Sequence, residues 1–303
     1  MDARRHTIVG LGELLWDCLP EGKQLGGATA NFAYVSGLLG AEAIVASRIG
    51  ADEPGREALG RLEQMGLSAR YLQLDTERPT GTVEVRVDER GQPSYMNRGD
   101  EAWDYLEWTR AWEELAGRAD AVCFGTLAQR SPQSRDTIRQ FLRSTRPGAL
   151  RVFDVNLRHS FSDAELLAAS LRLAHVAKLN DDELPKVCQL LGLGASEPLA
   201  LARKLIGIYE LRMVAITRGE RGSLLVTVEE ARGHTGYEVD VADTIGAGDA
   251  FTAALVHFTL RGAPLARIGE AANRAGAWMA TQVGATPPVE PEAFRQIVGE
   301  FKT

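Results

Sequence analysis

The chain has 303 residues, of which 45% are hydrophobic and 25% are charged, and its formal net charge at pH 7 is −7. This composition is ordinary for a globular protein, the length is ample for one large α/β domain or two small ones, and the negative charge argues against a nucleic-acid-binding surface. Charges interrupt every apolar stretch before about 18 residues, so we expect no membrane span. Three scattered cysteines fit a reducing cytoplasm.

Short apolar strands alternate with helical stretches along most of the chain. The first half contains a strand in HTIVGLGE, a helix in TANFAYVSGLLG, a strand in EAIVASRIG and a helix in EPGREALGRLEQMG. The strands DAVCFGT, LRVFDVN and HVAKLN follow, with the helices SRDTIRQFLRS and AELLAASLRLA among them. This alternation predicts βαβ units, and therefore an α/β fold in which helices cover both faces of a mostly parallel central sheet.

Residues 71–97 break this pattern, because apolar residues recur there with a period of two. Turn signals at Pro79 and Gly81 predict a run of antiparallel strands with no helix between them. A second hairpin is predicted at 213–239. Strands inserted into an α/β sheet often cover its ligand crevice.

No internal repeat, low-complexity tract or long linker divides the chain. We therefore expect a single domain over residues 1–303. A small β-sheet lid should be contributed by roughly 12–25 and 71–100.

A glycine-rich turn precedes an apolar helix in VADTIGAGDAFTAALVHF, residues 241–258. Gly246 and Gly248 allow backbone N–H groups to converge, and the helix N-terminus behind them favours an anion. Asp249 follows at once. It has a structural explanation, as an N-cap or first-turn acid stabilised by the helix dipole, and a functional one, as a base beside a phosphate cradle. This stretch alone leaves both open.

Several nucleotide and hydrolase motifs do not occur in the sequence. There is no GxxxxGK[ST] segment, which excludes a P-loop protein, and there is no GxSxG. After the first strand, Gly10 and Gly12 are followed by Leu15 instead of a third glycine. A dinucleotide-binding oxidoreductase would suit the fold class but lacks this fingerprint.

A second glycine pair lies in QLGGATANFA, residues 24–33. Together with DTIGAGDAF, it closely resembles the two signature segments of the ribokinase-like, or PfkB, carbohydrate kinases, in the same order and over nearly the whole chain. The N-terminal GELLWDCLPEGKQLGGATANFA is most similar to the bacterial fructokinases. The resemblance implies a ribokinase-like three-layer α/β/α fold with a β-sheet lid. It also implies an ATP-dependent sugar kinase that uses Mg²⁺ and, in some members, K⁺.

The resemblance assigns the glycine-rich turn to catalysis. Asp249 would be the base that takes the proton of the sugar hydroxyl. Gly246, Ala247 and Gly248 would form the anion hole for the γ-phosphate and its developing charge.

The residues implied to face the sugar are Asp17, Gly27, Asn31, Arg98 and Arg158. A carboxylate such as Asp17 suits a polyol because it accepts two hydrogen bonds, although alone it could be a solvated loop acid. Asn31 could equally be a polar residue in a first helical turn, and Arg98 a solvated lid residue. Arg158 could be a surface residue after a strand-end turn.

One position departs from the family pattern. The family usually has Pro where this chain has Thr29. Pro suits a first helical position, and Thr caps well at or near it, so we expect the fold to tolerate the change.

The resemblance places other residues near the nucleotide and its metal. In FDVNLR, Asp154 and Asn156 would lie near the phosphates and the metal, and a strand-end turn is the alternative. In AKLNDDEL, Asn180 and Glu183 would organise the water ligands of Mg²⁺. The same pair also resembles a helix capping box, and both interpretations can hold together.

Four residues would lie near the ribose and phosphates of the nucleotide: Thr217, Gly219, Gly222 and Gly248. Asn273 would lie on the adenine side. A glycine-rich hairpin turn explains the first three equally well, and core packing of a helix explains Asn273. Residues that match a K⁺ site in ribokinase-type members are Asp243 and Ile245, with Gly284 as a further backbone contributor.

The sequence favours a fructokinase within this family. A 2-keto-3-deoxygluconate kinase, a ribokinase and a nucleoside kinase remain alternatives, because a few loop contacts set specificity. A catalytically inactive sugar- or nucleotide-binding protein is an alternative from another class, which the intact turn before Asp249 disfavours. The expected partners are a small sugar and MgATP, without nucleic acid or membrane, and relatives suggest a homodimer through the lid.

Overall fold

The computed structural model describes residues 5–19, 22–87, 93–97, 99–157 and 163–299. Its strands are β1 (Thr7–Leu11), β2 (Leu15–Leu19), β3 (Gly22–Gly26), β4 (Glu42–Gly50), β5 (Leu72–Asp75), β6 (Gly81–Val87), β7 (Pro93–Asn97), β8 (Ala121–Phe124), β9 (Leu150–Asp154), β10 (Val176–Asn180), β11 (Met213–Thr217), β12 (Ser223–Val226) and β13 (Ala231–His234). Its helices are α1 (Ala28–Leu38), α2 (Glu53–Gln64), α3 (Arg110–Arg118), α4 (Pro132–Arg143), α5 (Ala164–Leu173), α6 (Glu183–Leu190), α7 (Pro198–Tyr209), α8 (Ala247–Leu260), α9 (Leu265–Ala280) and α10 (Pro291–Val298).

The described residues form one large sheet in the order β13-β12-β11-β10-β9-β8-β1-β4-β5. From β11 to β5 all neighbours pair in parallel, and β12 and β13 complete one edge in antiparallel pairing. Alternate residues of β1 enter opposite cores: Ile8 packs with α1, α8 and α9, whereas Val9 packs with α3, α4 and α7. Both faces are therefore buried under helices, and the predicted three-layer fold is confirmed.

A smaller sheet, in the order β3-β2-β6-β7, forms the lid. Strands β6 and β7 pair antiparallel, as predicted, and so do the strands of the second hairpin, β11 to β13. The assignment of residues 71–75 to the antiparallel run is wrong, because β5 pairs in parallel with β4 in the large sheet. As an edge strand with an exposed side, where Leu74 is 59% exposed, β5 alternates like a hairpin strand and cannot be told from one by period.

Helices α1 and α8 pack against each other in the centre of one face, and both are buried on nearly all sides. Each begins at a glycine that no other residue can replace without strain. Gly27 has φ 102°, and a Cβ there would lie 2.6 Å from the Glu13 carbonyl oxygen. Gly246 has φ 76°, and its Cβ would lie 2.5 Å from that of Ala285. The two helix N-termini can therefore approach the neighbouring loops closely.

The three cysteines, Cys18, Cys123 and Cys188, are free. Burial raises the pKa of the Cys123 and Cys188 thiols, which are neutral and pack as small apolar groups. Within the described ranges, no helix is both long and apolar enough to cross a membrane.

A buried ion-pair network fixes the base of the lid to the large sheet. The Arg130 guanidinium, after β8, contacts Asp104 at 2.7 Å and Glu101 at 3.1 Å, and these side chains are at most 7% exposed. The other oxygen of Glu101 accepts a hydrogen bond from the backbone of Thr82 in β6. The guanidinium also stacks over the Trp103 ring, 3.8 Å from its centroid. The start of β6 is therefore held by charges that are out of contact with water.

We expect Arg130→Met to lower the free energy of unfolding by about 3–5 kcal/mol, because two buried carboxylates would lose their cation. Arg110→Met is the matched control, since Arg110 pairs with Glu114 at an exposed site and its loss should cost less than about 1 kcal/mol. Urea unfolding of both variants measures the difference. Equal small losses would contradict the anchoring role of the network.

Candidate active site

The N-termini of α1 and α8 meet through one hydrogen bond. Asn31 Nδ2 donates to Asp249 Oδ2 at 2.8 Å, which joins residues 218 positions apart. Asp249 is the third residue of α8, and the N-cap is Gly246, so the carboxylate is a first-turn acid rather than a cap. It bonds across to α1, and the two glycine motifs thus form one site.

The Asp249 carboxyl lies in the first turn of α8, and the residue is partly exposed. Burial raises its pKa to about 7, and the negative charge of Asp154 acts in the same direction. The Asn31 hydrogen bond and the Lys178 charge oppose this shift. A carboxyl that titrates near neutral pH is well suited to accept a proton in a reaction at that pH.

A buried lysine lies beside the glycine turn. Lys178 Nζ contacts Asp154 Oδ1 at 3.0 Å, and the Thr252 hydroxyl donates to Asp154 Oδ2 at 2.9 Å. Burial lowers the pKa of Lys178, but the charges of Asp154 and Glu183 outweigh it and leave the pKa raised, so the ammonium is charged. A Cβ on Gly248 would lie 2.9 Å from this nitrogen, so the glycine makes room for the cation.

Sequence reasoning missed Lys178. The residue is only 7% exposed and lies inside the buried strand β10, among the apolar residues of VAKLN. A lysine in the interior of a buried strand is rare unless it is paired, and that signal could have identified it.

Glu13 is a second buried residue that sequence reasoning missed. It is 2% exposed, its Oε1 accepts from the backbone of Ala28 at 3.2 Å, and its carbonyl accepts from the Thr29 hydroxyl at 2.8 Å. Thr29 is the second residue of α1, and its hydroxyl holds the loop after β1 instead of capping the helix. The helix forms with Thr at this position, as expected. Glu13 in turn fixes the start of the helix that carries Asn31.

The anion-hole turn is braced by a neighbouring carboxylate. Asp243 Oδ1 accepts from the backbone of Ile245 at 2.9 Å, and Oδ2 accepts from that of Gly284 at 3.1 Å. The three residues implied for a K⁺ site are thus adjacent, because the Asp243 carboxylate accepts hydrogen bonds from the backbone of both Ile245 and Gly284. The Ala247 N–H has a long contact of 3.3 Å to the Thr244 carbonyl. A stronger acceptor can therefore compete for it.

The predicted sugar residue Asp17 lies on β2 of the lid, beside the glycine pair. A Cβ on Gly26 would lie 2.3 Å from Asp17 Oδ2, so the carboxylate covers this glycine and stands next to Gly27. Arg98 and Arg158 lie outside the described residues.

Asn180 and Glu183 form the reciprocal hydrogen bonds of a capping box, although α6 itself begins only at Glu183, with Asp182 as its N-cap. Asn180 Oδ1 accepts from the Glu183 backbone at 2.8 Å, and Glu183 Oε2 accepts from the Asn180 backbone at 2.8 Å. Glu183 Oε1 accepts from Leu157 at 2.7 Å, beside Asn156 in the loop after β9. In the described part of the chain, no three His, Cys, Asp or Glu side chains are arranged to hold a metal.

The residues implied for the nucleotide lie around the β11–β12 turn. The Thr217 hydroxyl has a long contact to the Leu179 carbonyl, and Gly219 and Gly222 have positive φ values in the turn that follows. Asn273 Nδ2 donates to Ser223 Oγ and to the Gly269 carbonyl, both at 2.7 Å. Asn273 thus has the packing role that was its alternative, and its position on the adenine side stays a prediction.

The family model described as pfkB family carbohydrate kinase matches residues 17–293. The chain belongs to the pfkB family of carbohydrate kinases. It is 30% identical to the fructokinase of Escherichia coli, over 91% of this chain and 93% of that protein. As a member of this family it is a phosphotransferase with an alcohol group as acceptor.

Solved structures of the family share the fold. Aminoimidazole riboside kinase from Salmonella enterica, complexed with aminoimidazole riboside and an ATP analogue, has a TM-score of 0.81 at 26% identity and covers 97% of this chain and 100% of its own. Fructokinase from Vibrio cholerae, in a form with fructose, ADP and calcium ion bound, has a TM-score of 0.81 at 23% identity, with 97% and 99% covered. These kinases differ in acceptor, so family membership leaves the sugar open.

We expect Asp249→Asn to lower kcat by about a thousandfold or more, with nucleotide affinity retained, because the amide keeps the shape but cannot take a proton. The variant should also unfold at a higher temperature than wild type at pH 8. The raised pKa means that charging Asp249 destabilises the fold as the pH rises through about 7. The Tm advantage should therefore disappear at pH 4. A kcat loss below about tenfold would contradict the base assignment.

The acid limb of the pH profile of kcat/KM should lie near pH 7, where Asp249 loses its proton. The Asp154 carboxylate raises the pKa of Asp249, and the Lys178 ammonium lowers it. Asp154→Asn removes the first charge and leaves the second unpaired, so the acid limb should move to lower pH. Initial rates between pH 5 and 9 at saturating nucleotide measure the shift. A limb that moves to higher pH would be inconsistent with this electrostatic arrangement.

Proposed function

We propose that this kinase transfers the γ-phosphate of ATP to a hydroxyl of a free sugar, with fructose as the acceptor. The observation that carries the proposal is the hydrogen bond between Asn31 and Asp249. It sets the residue from the sugar-facing motif against the carboxyl that accepts a proton. An acceptor hydroxyl beside this pair would meet both a hydrogen-bonding amide and the base.

The residues of this chain divide the work of the transfer. Asp249 takes the proton of the hydroxyl as its oxygen bonds to the γ-phosphorus and the bond to the ADP oxygen breaks. The backbone N–H groups of Ala247 and Gly248, at the positive end of α8, hold the oxygens of the transferred group. Lys178 stands beside Gly248 and neutralises the charge that these oxygens carry.

Metal ions would complete this charge balance. Mg²⁺ bound to the nucleotide phosphates would neutralise them, and Asn180 and Glu183 would orient its water ligands. A K⁺ ion would lie at the carbonyls near Asp243 and Ile245, where it would stiffen the anion-hole turn. The direct hydrogen bonds of Asp243 already hold this turn, so we expect K⁺ to raise the rate without being essential.

The lid would determine which acceptor binds. Asp17, beside the glycine pair, is placed to accept hydrogen bonds from sugar hydroxyls, and closure of the lid would exclude water from the γ-phosphate. Arg98 and Arg158 are proposed as cationic contacts to the acceptor, on the resemblance alone. The kinship with fructokinases favours fructose, whereas the fold likeness to aminoimidazole riboside kinase makes a riboside the second candidate.

ADP release from MgATP, measured against fructose, ribose, glucose, tagatose, 2-keto-3-deoxygluconate, adenosine and aminoimidazole riboside, tests the acceptor. Fructose should give the highest kcat/KM. Turnover with a riboside or the sugar acid alone would overturn fructose and keep the kinase mechanism. ATP bound without turnover of any acceptor would favour a binding protein.

Asp17→Asn should raise the KM for the acceptor about tenfold or more and change the KM for ATP little, because a carboxylate that accepts two hydroxyl hydrogen bonds is lost. Asp136→Asn, at an exposed position of α4, is the matched control and should change neither constant. Equal KM values for Asp17→Asn and wild type would remove Asp17 from the sugar site.

A further inference from the structure

The segment between α9 and α10, VGATPP at 283–288, lies against both motifs of the active site, and we call it the strap. The Tyr34 hydroxyl, from the helix that carries Asn31, donates to the Pro287 carbonyl. Ala285 packs on Gly246 at the anion-hole turn, and Gly284 N–H donates to Asp243. A shift of the strap would therefore also move the turn that is proposed to form the anion hole.

The lid reaches the strap through Gln24. Its amide oxygen lies 1.9 Å from the position that a Cβ on Gly284 would occupy, so the side chain rests directly on the backbone of that glycine. Gln24 is opposite Asp17 in the β2–β3 pair, and cross-strand partners project from the same face of a sheet. The same hairpin therefore carries Gln24, which touches the strap, and Asp17, which we propose to bind the sugar.

Beside Gln24, a cavity of about 390 Å³ lies between the β2–β3 hairpin, α2 and the strap. Its lining includes Lys23 and Leu25 of β3, Glu57 of α2, and Thr286 and Pro288 of the strap. The Lys23–Glu57 ion pair and the hydrogen bond that Trp16 Nε1 donates to the Pro54 carbonyl tie the hairpin to α2, and the Gln24 contact ties it to the strap.

We propose that Gln24 is a positioning residue that couples acceptor binding on the lid hairpin to the geometry of the anion hole. A sugar that fixes Asp17 also fixes Gln24, which sets Gly284 and, through Asp243, the turn at Ile245. An acceptor that holds Gln24 on Gly284 would therefore stabilise the turn in the arrangement that receives the γ-phosphate. This inference rests on the kinase activity of the family and not on which sugar is the acceptor.

The affinity for a non-hydrolysable MgATP analogue, measured by calorimetry with and without the acceptor, tests the coupling. In wild type the acceptor should tighten analogue binding by about fivefold or more, and in Gln24→Ala this factor should fall to about one. The acceptor affinity without nucleotide should change less than about twofold, which separates positioning from sugar binding. Lys23→Ala, the neighbour on β3 whose ammonium pairs with Glu57 at the surface, is the control and should keep the wild-type factor. A factor near one in wild type, or an unchanged factor in Gln24→Ala, would overturn the proposal.

A double-mutant cycle with Gly284→Ala tests the contact itself. The added methyl group would displace the Gln24 amide, so Gly284→Ala should weaken analogue binding, and Gln24→Ala in the same chain should restore part of it. Gly262→Ala controls for backbone strain, since Gly262 has φ 68° against 76° at Gly284 and no atom within 4 Å of its Cβ position. Strictly additive effects of the two changes would overturn the contact. The cycle needs no acceptor, so it decides this point even if the acceptor panel gives no turnover.

Discussion

The hydrogen bond between Asn31 and Asp249 is the constraint on which the site depends, because it sets the distance between two helices that begin at opposite ends of the chain. Gly27 and Gly246 begin these helices, and each has a positive φ and lies against a neighbouring loop, at Glu13 and at Ala285. The apolar sides of α1 and α8 supply the packing, and the glycines decide where the polar ends meet.

The same arrangement brings like charges together in a place with little water. Asp154 and Asp249 both face Lys178, and Glu13 lies near enough to raise the pKa of Asp249 further. One ammonium, the Thr252 hydroxyl and the Asn31 amide offset only part of this cost, which is why the Asp249 carboxyl holds its proton to about pH 7. In the proposed role of Asp249 as the base, the same energy strengthens its affinity for the proton of an acceptor hydroxyl.

The sequence was sufficient to predict the α/β fold and the antiparallel strands of the lid, since strand–helix alternation and a period of two are local signals. The roles of the residues in the two glycine motifs rest on the family resemblance and stay predictions. The edge strand β5 was misassigned because an exposed edge alternates like a hairpin. Lys178 and Glu13 were missed because each gains its meaning only from partners brought near by folding, as when Lys178 meets Asp154 across two parallel strands. The bond of the Thr29 hydroxyl could not be predicted for the same reason, since its acceptor lies in the preceding loop.

The lid is joined to the body at two edges by contacts of different kinds. At the base of the lid, Arg130 holds two buried carboxylates, and such a network is rigid because any movement would leave a charge unpaired. At the opposite edge, β3 meets the strap through the Gln24 amide on a glycine, and Lys23 pairs with Glu57 of α2 at a site open to water. An ion pair in water stabilises little, so this edge is held less firmly than the buried base. The same edge carries the glycine pair, so an acceptor bound there would act on the less firmly held side of the lid.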